Sequence, residues 1–295
     1  MIVNRHNVQA VSNGLKTTYN KAFDKAETNW QKVATEIPSM TAAETYTWFG
    51  RLPRMREWIG DREIQNLSQG DYTIRNKDFE MTISVGRNEI EDDTYGVNKP
   101  LAEDMGEAAK LYPEELVFGA MKSGFVEKCY DGKPFFSTEH KVGKKKVSNM
   151  GTKKLTAESY EAARADMMSR KDEYDKSFNL KPNLLVVPPA LEGVGRRILK
   201  ASQIEGSDNV FKDTAELLVV PELAGADDAW YLLDTTRPLK PLIFQNRKKP
   251  QFTERTALTD ENVFMSNKFL FGVDARGNSG YGFWQMAYGS NGTQA

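Results

Sequence analysis

The chain has 295 residues, with 40 Lys or Arg against 41 Asp or Glu and a formal net charge of −1. That balance excludes a protein whose whole surface is a glove for nucleic acid, and leaves room for local basic patches. One cysteine, Cys129, and two histidines, His6 and His140, exclude an intrachain disulfide framework and argue against a structural zinc site, which takes four ligands.

Length alone predicts about two domains. No run approaches the ~18 apolar residues of a membrane span. The start lacks the apolar stretch of a secretory signal, so the expected compartment is the cytoplasm or a particle assembled there.

The first segment predicts a long amphipathic helix. Val8, Val11, Leu15, Tyr19, Phe23, Ala26, Trp30 and Val33 recur at steps of three or four. Ile37-Pro38 closes it, because the residue before proline is driven out of the helical region. Such an arm must pack on its own domain or on a neighbouring chain.

An aromatic run around Trp48 follows, then Arg54, Arg56, Trp58 and Arg62. Beyond it Tyr72 and Ile74, and then Phe79, Met81, Ile83 and Val85, alternate with polar residues. Two period-2 runs joined by Asn76-Lys77-Asp78 predict a β-hairpin with Lys77 at its tip. A two-stranded ribbon is marginal in water, so it should lie on another surface.

Residues 100–127 predict a helix with Leu101, Met105, Ala108, Tyr112, Leu116, Ala120 and Met121 on one face. Pro113 should kink or split it. Between 141 and 154 stand Lys141, Lys144, Lys145, Lys146, Lys153 and Lys154 with no acid among them, which predicts an exposed loop. A helix over 157–176 carries Tyr160, Ala163, Met167 and Tyr174.

After 179–183 the pattern changes. Short apolar runs at 184–187, 217–220, 230–233 and 241–244, with a helix over 190–203, predict a compact α/β unit. Strands at 269–274 and 283–288 are expected to flank a glycine-rich turn at 277–282, and 289–293 reads as a frayed tail.

Candidate chemistry is thin. Gly119 and Gly124 have the spacing of a phosphate loop, but Phe125-Val126 follows where Lys and Ser or Thr belong. Gly277, Gly280 and Gly282 run in the wrong order for a dinucleotide fingerprint. Glu89, Glu91, Asp92 and Asp93 could hold a divalent cation or supply an acid/base pair, yet read better as a solvated turn that pairs with arginines. Cys129 has no nucleophile signature around it and reads as a buried, inert thiol. The lysine loop has the charge to touch a polyanion loosely but no aromatic for base stacking. The expectation is therefore no enzyme and no cofactor. Parts that cannot bury their apolar faces alone imply partner chains.

Several blocks carry a resemblance. They are Trp48-Phe49-Gly50; Pro53, Met55-Arg56-Glu57-Trp58 and Gly60-Asp61-Arg62; Asn76-Lys77-Asp78-Phe79-Glu80 through Tyr95-Gly96; Tyr112-Pro113-Glu114-Glu115-Leu116-Val117 with Gly124-Phe125; and Cys129-Tyr130-Asp131-Gly132-Lys133-Pro134-Phe135-Phe136 with Thr138 and His140. Together they resemble the Mu-like phage major head subunit, the gpT family, along most of the chain and most strongly from 44 to 140.

The resemblance implies an α+β, HK97-type phage capsid fold. Its parts would be an N-terminal arm helix (1–37), an extended β-hairpin loop (44–92), a peripheral domain with a long spine helix (93–178), an axial α/β domain (179–249) and a closing β segment of the peripheral domain (250–295). It implies a major capsid protein of a tailed phage or prophage, self-assembling into hexamers and pentamers of an icosahedral shell that encloses double-stranded DNA. A scaffold, a maturation protease and a portal would be its partners, with no membrane involved. The place would be the virion, assembled in the bacterial host cytoplasm.

Inter-subunit contacts would fall on Trp48, Arg54, Arg56, Trp58, Arg62, Tyr72, Ile74, Lys77, Phe79 and Met81, with the arginines pairing across the joint with the 89–93 carboxylates. Some capsids of this fold cross-link a loop lysine to a neighbour's asparagine, which makes Lys77 the candidate donor. Lys144, Lys145, Lys146, Lys153 and Lys154 would make weak, non-specific contact with packaged DNA. The rival readings are another virion component, such as a connector or decoration protein, and a hydrolase built on the acidic cluster at 89–93.

Overall fold

The computed structural model describes residues 5–47, 72–91, 95–172, 175–204, 206–257 and 259–294. The amphipathic stripe forms α1 (Arg5–Lys25), but the helix stops earlier than its periodicity suggests. The chain resumes as a single turn, α2 (Trp30–Val33), and becomes an edge strand, β1 (Ala34–Pro38). Pro38 thus ends a strand rather than a helix. An edge strand tolerates it because the outward side needs no N–H.

β2 (Ala43–Tyr46) and β3 (Tyr72–Arg75) pair antiparallel, with Ala43 opposite Arg75 and Tyr46 opposite Tyr72. β4 (Lys77–Gly86) then joins a different sheet. The expected hairpin between 72–75 and 79–85 is therefore corrected. The two alternating runs belong to separate sheets, and Asn76 is the joint between them. Each run covers one face, so each shows period 2, and periodicity carries no information about the partner strand.

α3 (Arg87–Glu91) leads into α4 (Tyr95–Ser123), a 29-residue helix with Pro100 and Pro113 inside it. At 1.5 Å per residue it spans about 43 Å. The expected split at Pro113 does not occur. The helix is packed along its length, and Val117, Phe118 and Met121 beyond the proline are buried.

The lysine segment is ordered β structure rather than a loop. β5 (His140–Val142) and β6 (Lys145–Val147) form a hairpin around Gly143, whose φ is 59°, and β7 (Met150–Lys153) follows. α5 (Ala157–Ser169) is opened by a reciprocal cap. The Ser159 N–H donates to Thr156 Oγ1 at 3.1 Å and the Thr156 N–H to Ser159 Oγ at 2.8 Å. Tyr160, Ala163 and Met167 are buried as expected, while the helix ends short of 176. Tyr174 lies outside the described residues.

Next come β8 (Leu184–Val187), α6 (Glu192–Lys200), a small hairpin of β9 (Gln203–Ile204) and β10 (Ser207–Asp208), β11 (Glu216–Val219) and β12 (Trp230–Leu233). Two 14-residue strands, β13 (Leu242–Arg255) and β14 (Lys268–Tyr281), flank α7 (Glu261–Ser266). β15 (Ala287–Gln294) ends the described chain.

The strands form a four-stranded sheet in the order β1-β13-β14-β4 and a five-stranded sheet in the order β11-β8-β12-β15-β7. The run at 184–187 is apolar throughout because both faces of its sheet are covered. Leu184 and Val186 join one core with Phe118, Met121 and Phe136, while Leu185 and Val187 join another with Tyr160, Met167, Ile198 and Leu199.

Three expectations fail here, the last two because a glycine lets the backbone pass close to a side chain. The 241–244 run opens β13 of the other sheet instead of extending the α/β unit. The glycine-rich stretch runs as strand through Tyr281, because a Cβ on Gly280 would stand 2.4 Å from Ile74 Cδ1. The supposed frayed tail is an inner strand between β12 and β7, where a Cβ on Gly289 would meet the Phe136 ring at 2.7 Å.

α1 lies on the spine helix α4. Val11 and Leu15 bury with Ala102, Phe269 and Phe271, and Tyr19 with Met105, Ala109 and Val273. The crossing is tight: a Cβ on Gly106 would sit 2.4 Å from the Tyr19 carbonyl oxygen. The arm therefore covers its own subunit. Among the described residues, no helix is long and apolar enough to cross a membrane.

Candidate assembly surface

β2 and β3 pair with each other and, among the described residues, with no other strand. Their root stands on the four-stranded sheet. Ile74 is buried against Gly280, and the Tyr281 N–H donates to Tyr72 Oη at 3.0 Å. Beneath the ribbon is Gln245 of β13, wholly buried. Tyr46 Oη donates to its Oε1 at 2.8 Å, and its Nε2 donates to the Ile74 carbonyl at 3.1 Å and to Asn76 Oδ1 at 2.7 Å. Asn76 Nδ2 donates on to Ser39 Oγ and to the Thr41 carbonyl, both at 2.8 Å.

The turn below is held by Glu44, whose Oε1 takes the Met40 N–H at 2.8 Å, the Thr41 N–H at 3.1 Å and the Ser39 hydroxyl at 2.9 Å. Those donors, led by the Met40 N–H, pull its carboxyl down to about 2. No feature of the sequence marked Gln245. The only signal is a polar residue directly after the apolar 242–244 run.

The predicted contact residues divide. Trp48, Arg54, Arg56, Trp58 and Arg62 lie outside the described residues. Tyr72 and Ile74 hold the ribbon's root. Phe79 and Met81 are on β4 rather than on the ribbon and face inward: the Phe79 ring lies 5.5 Å from that of Tyr112, and Met81 packs on the Tyr19 cluster. Both are half-buried within the subunit. Lys77 is exposed at the start of β4, opposite Gly277, not at a hairpin tip.

Three of the six lysines of 141–154 have carboxylate partners. Lys145 pairs with Asp175 at 2.9 Å, Lys146 with Glu139 at 3.6 Å and Lys154 with Asp228 at 3.7 Å. Exposed pairs of this kind contribute roughly 0–1 kcal/mol, so they leave little net field. Lys144 and Lys153 are exposed. Of the acidic cluster, Glu89 is exposed and its Oε2 accepts the Gly86 N–H at 3.2 Å, while Asp92 and Asp93 lie outside the described residues.

The structure brings Cys129, Asp131 and His140 together, with ligand atoms within 4.8 Å of one another. Asp131 takes the Cys129 thiol at 3.2 Å and the Lys133 N–H at 3.0 Å, and faces His140 Nδ1 at 2.6 Å. His140 Nε2 lies 3.2 Å from the Phe135 carbonyl, and the ring stacks on Trp284 at 4.1 Å. Every donor is engaged by a protein partner, and a structural zinc site would need a fourth ligand.

Burial pushes the Cys129 thiol far up, with Asp131 adding to it, the reverse of what a nucleophile requires. Burial also raises Asp131, but the hydrogen bond and charge of His140, with the Lys133 N–H, more than offset this and hold it below the usual range. The cluster is a clasp that fixes the 129–140 loop against the segment around Trp284.

This arrangement of a long spine helix on a four-stranded sheet with a second sheet beside it is similar to the folds of solved capsid proteins. The procapsid protein of bacteriophage JBD30 superposes with a TM-score of 0.63 and 34% identity, covering 98% of this chain and 76% of that one. This is an HK97-type phage capsid fold.

Sequence comparison narrows the class. The chain is 33% identical over 287 residues to the major capsid protein of Escherichia phage Mu, covering 97% of this chain and 74% of that protein. It is 34% identical over 285 residues to the Mu-like prophage FluMu major head subunit of Haemophilus influenzae, covering 97% and 73%. The model of the Mu-like prophage major head subunit gpT matches residues 8–154, 150–223 and 222–294. The chain belongs to that family, and its function is that of a major capsid protein of a Mu-like phage.

Proposed function

We infer that copies of this chain close into hexamers and pentamers of an icosahedral shell around double-stranded DNA, with the ribbon reaching from each copy to the next. The observation that carries this reading is the ribbon itself. Two strands, seated on the four-stranded sheet through Tyr46 and Ile74, pair with no other strand among the described residues. A lone two-stranded ribbon is marginal in water. Heterologous contact, in which one surface meets a different surface on the next copy, closes rings by rotation and satisfies such a projection without leaving an odd copy.

The segment 48–71 carries the adhesive. Trp48 and Trp58 supply large rings, and Arg54, Arg56 and Arg62 supply forks for carboxylates on the neighbour, Glu89 among them. Arm (1–37), ribbon (43–75), peripheral sheet with its spine helix, and axial five-stranded sheet are the working parts. Scaffold, maturation protease and portal are separate proteins, and assembly takes place in the host cytoplasm. Lys144 and Lys153, exposed on the basic segment, give the shell weak, salt-sensitive contact with DNA.

Electron microscopy of the self-associated protein tests this. Closed shells of rings of five and six are expected. A single small ring would instead make it a connector, and a surface-bound monomer a decoration protein.

A further inference from the structure

The ribbon's root is wired as well as packed. Tyr46, Asn76 and Gln245 are all buried there. A buried polar group left unpaired costs about 1–3 kcal/mol, so a site with three of them is stable only if they bond to one another. They do, and across elements. Gln245 belongs to the peripheral sheet, Tyr46 to one ribbon strand and Ile74 to the other, and one amide group engages both strands at once. Its second Nε2 bond goes to Asn76, where the chain leaves the ribbon for β4.

A third tie, from Asn278 Nδ2 to the Arg75 carbonyl at 2.8 Å, comes from β14. Apolar contact is non-directional and would let the ribbon rock on Ile74. Hydrogen bonds prefer near-linear geometry, and a satisfied buried network selects one arrangement.

We propose that Gln245, with Tyr46 and Asn76, is a positioning residue: it sets the angle at which the β2–β3 ribbon leaves the subunit, and so how that ribbon is presented to a sister copy. This rests on the reading of the ribbon as the inter-subunit arm. The network acts by holding β2 and β3 at one orientation before assembly, so that less ordering remains to be done on binding.

The test measures ribbon orientation in the unassembled full-length chain, apart from shell formation. Spin labels go on Thr47→Cys in the ribbon and Ser84→Cys on β4, both exposed, while Cys129 is buried and stays unlabelled. The parent should give one narrow distance. Gln245→Ala and Asn76→Ala should broaden it. Tyr46→Phe, which removes one hydroxyl and keeps the ring, should broaden it less, with circular dichroism unchanged in all three. Shell yield should fall in the same order.

A narrow parental distance retained in Tyr46→Phe and Gln245→Ala overturns the proposal. So does a broadened ribbon that still builds normal shells. If Gln245→Ala fails to fold, Tyr46→Phe decides alone. A parent protein that builds no shells overturns the capsid reading instead, and the distance measurement separates the two failures.

Discussion

Glu114, buried inside the spine helix, accepts the backbone N–H of Trp30 at 3.0 Å, and that of Asn29 as well. The first N–H groups of a helix have no partner of their own, and here a side chain from another helix supplies one. The contact ties the single turn α2, and with it the arm, to α4 at the residue after Pro113.

Burial raises the Glu114 carboxyl above its ordinary range, against the pull of the two N–H groups. A folded-state value above the unfolded one means that the stability linked to this group is fully present below the ordinary Glu range and is lost as pH rises through the raised value. Glu114→Gln keeps an acceptor and removes the charge. It should melt at or above the parent temperature at pH 8, and its advantage should vanish near pH 4. Glu114→Ala orphans two N–H groups and should cost about 1–3 kcal/mol at both. Thermal melts of the three proteins across pH 4–8 check this.

Gly106 sets the arm's seat. Replacing it with Ala gains about 1 kcal/mol of helix propensity. The new Cβ would stand 2.4 Å from a backbone oxygen of Tyr19, which cannot swing aside as a side-chain end can. Overpacking costs about 1–3 kcal/mol, so the net effect should be destabilising and local to the arm. Hydrogen exchange should speed up over 5–25 in Gly106→Ala and stay unchanged in the five-stranded sheet.

Asp131 titrates in the opposite sense to Glu114. Its net depressed value means that its contribution is present above the ordinary Asp range and lost as pH falls through the folded value. The parent should therefore lose stability below about pH 4, the region where carboxylates protonate. Asp131→Asn should be less stable at pH 7 and show a flatter acid limb. Parallel melts at pH 3 and pH 7 read this directly.

No lysine lies between Lys32 and Lys77, and Lys77 sits at the joint rather than at the ribbon's tip. A ribbon without an amine cannot donate to an asparagine on a neighbour. Denaturing gels of finished shells should show a single monomer band and no ladder.

Much of the fold could be read in the residues before any coordinates. The stripe of α1 and the doubly buried 184–187 run follow from periodicity, whereas the buried face of α4 is turned by one position: Ala102 and Ala109 are buried in place of Leu101 and Ala108. Partner choice could not be read. Tyr72 and Ile74 alternate as Phe79 and Met81 do, although one pair roots the ribbon and the other faces the spine helix. β15 is an inner strand in which five of eight residues are Gly, Ser, Asn or Thr, and its place is decided by room for the Phe136 ring rather than by propensity. The ribbon root depends on Gln245 and Asn76, about 170 residues apart in sequence, and no local rule connects them. The resemblance supplied the family where the chemistry of single sites supplied none.

The most direct measurement is a density map of assembled particles at side-chain resolution, traced from Tyr46 to Tyr72. The account predicts that Trp48, Trp58 and the arginines between them and Arg62 rest on the sheet of an adjacent copy, with the Gln245 network intact beneath. Finding 48–71 folded back onto its own spine helix, in particles held together by other surfaces, would contradict it.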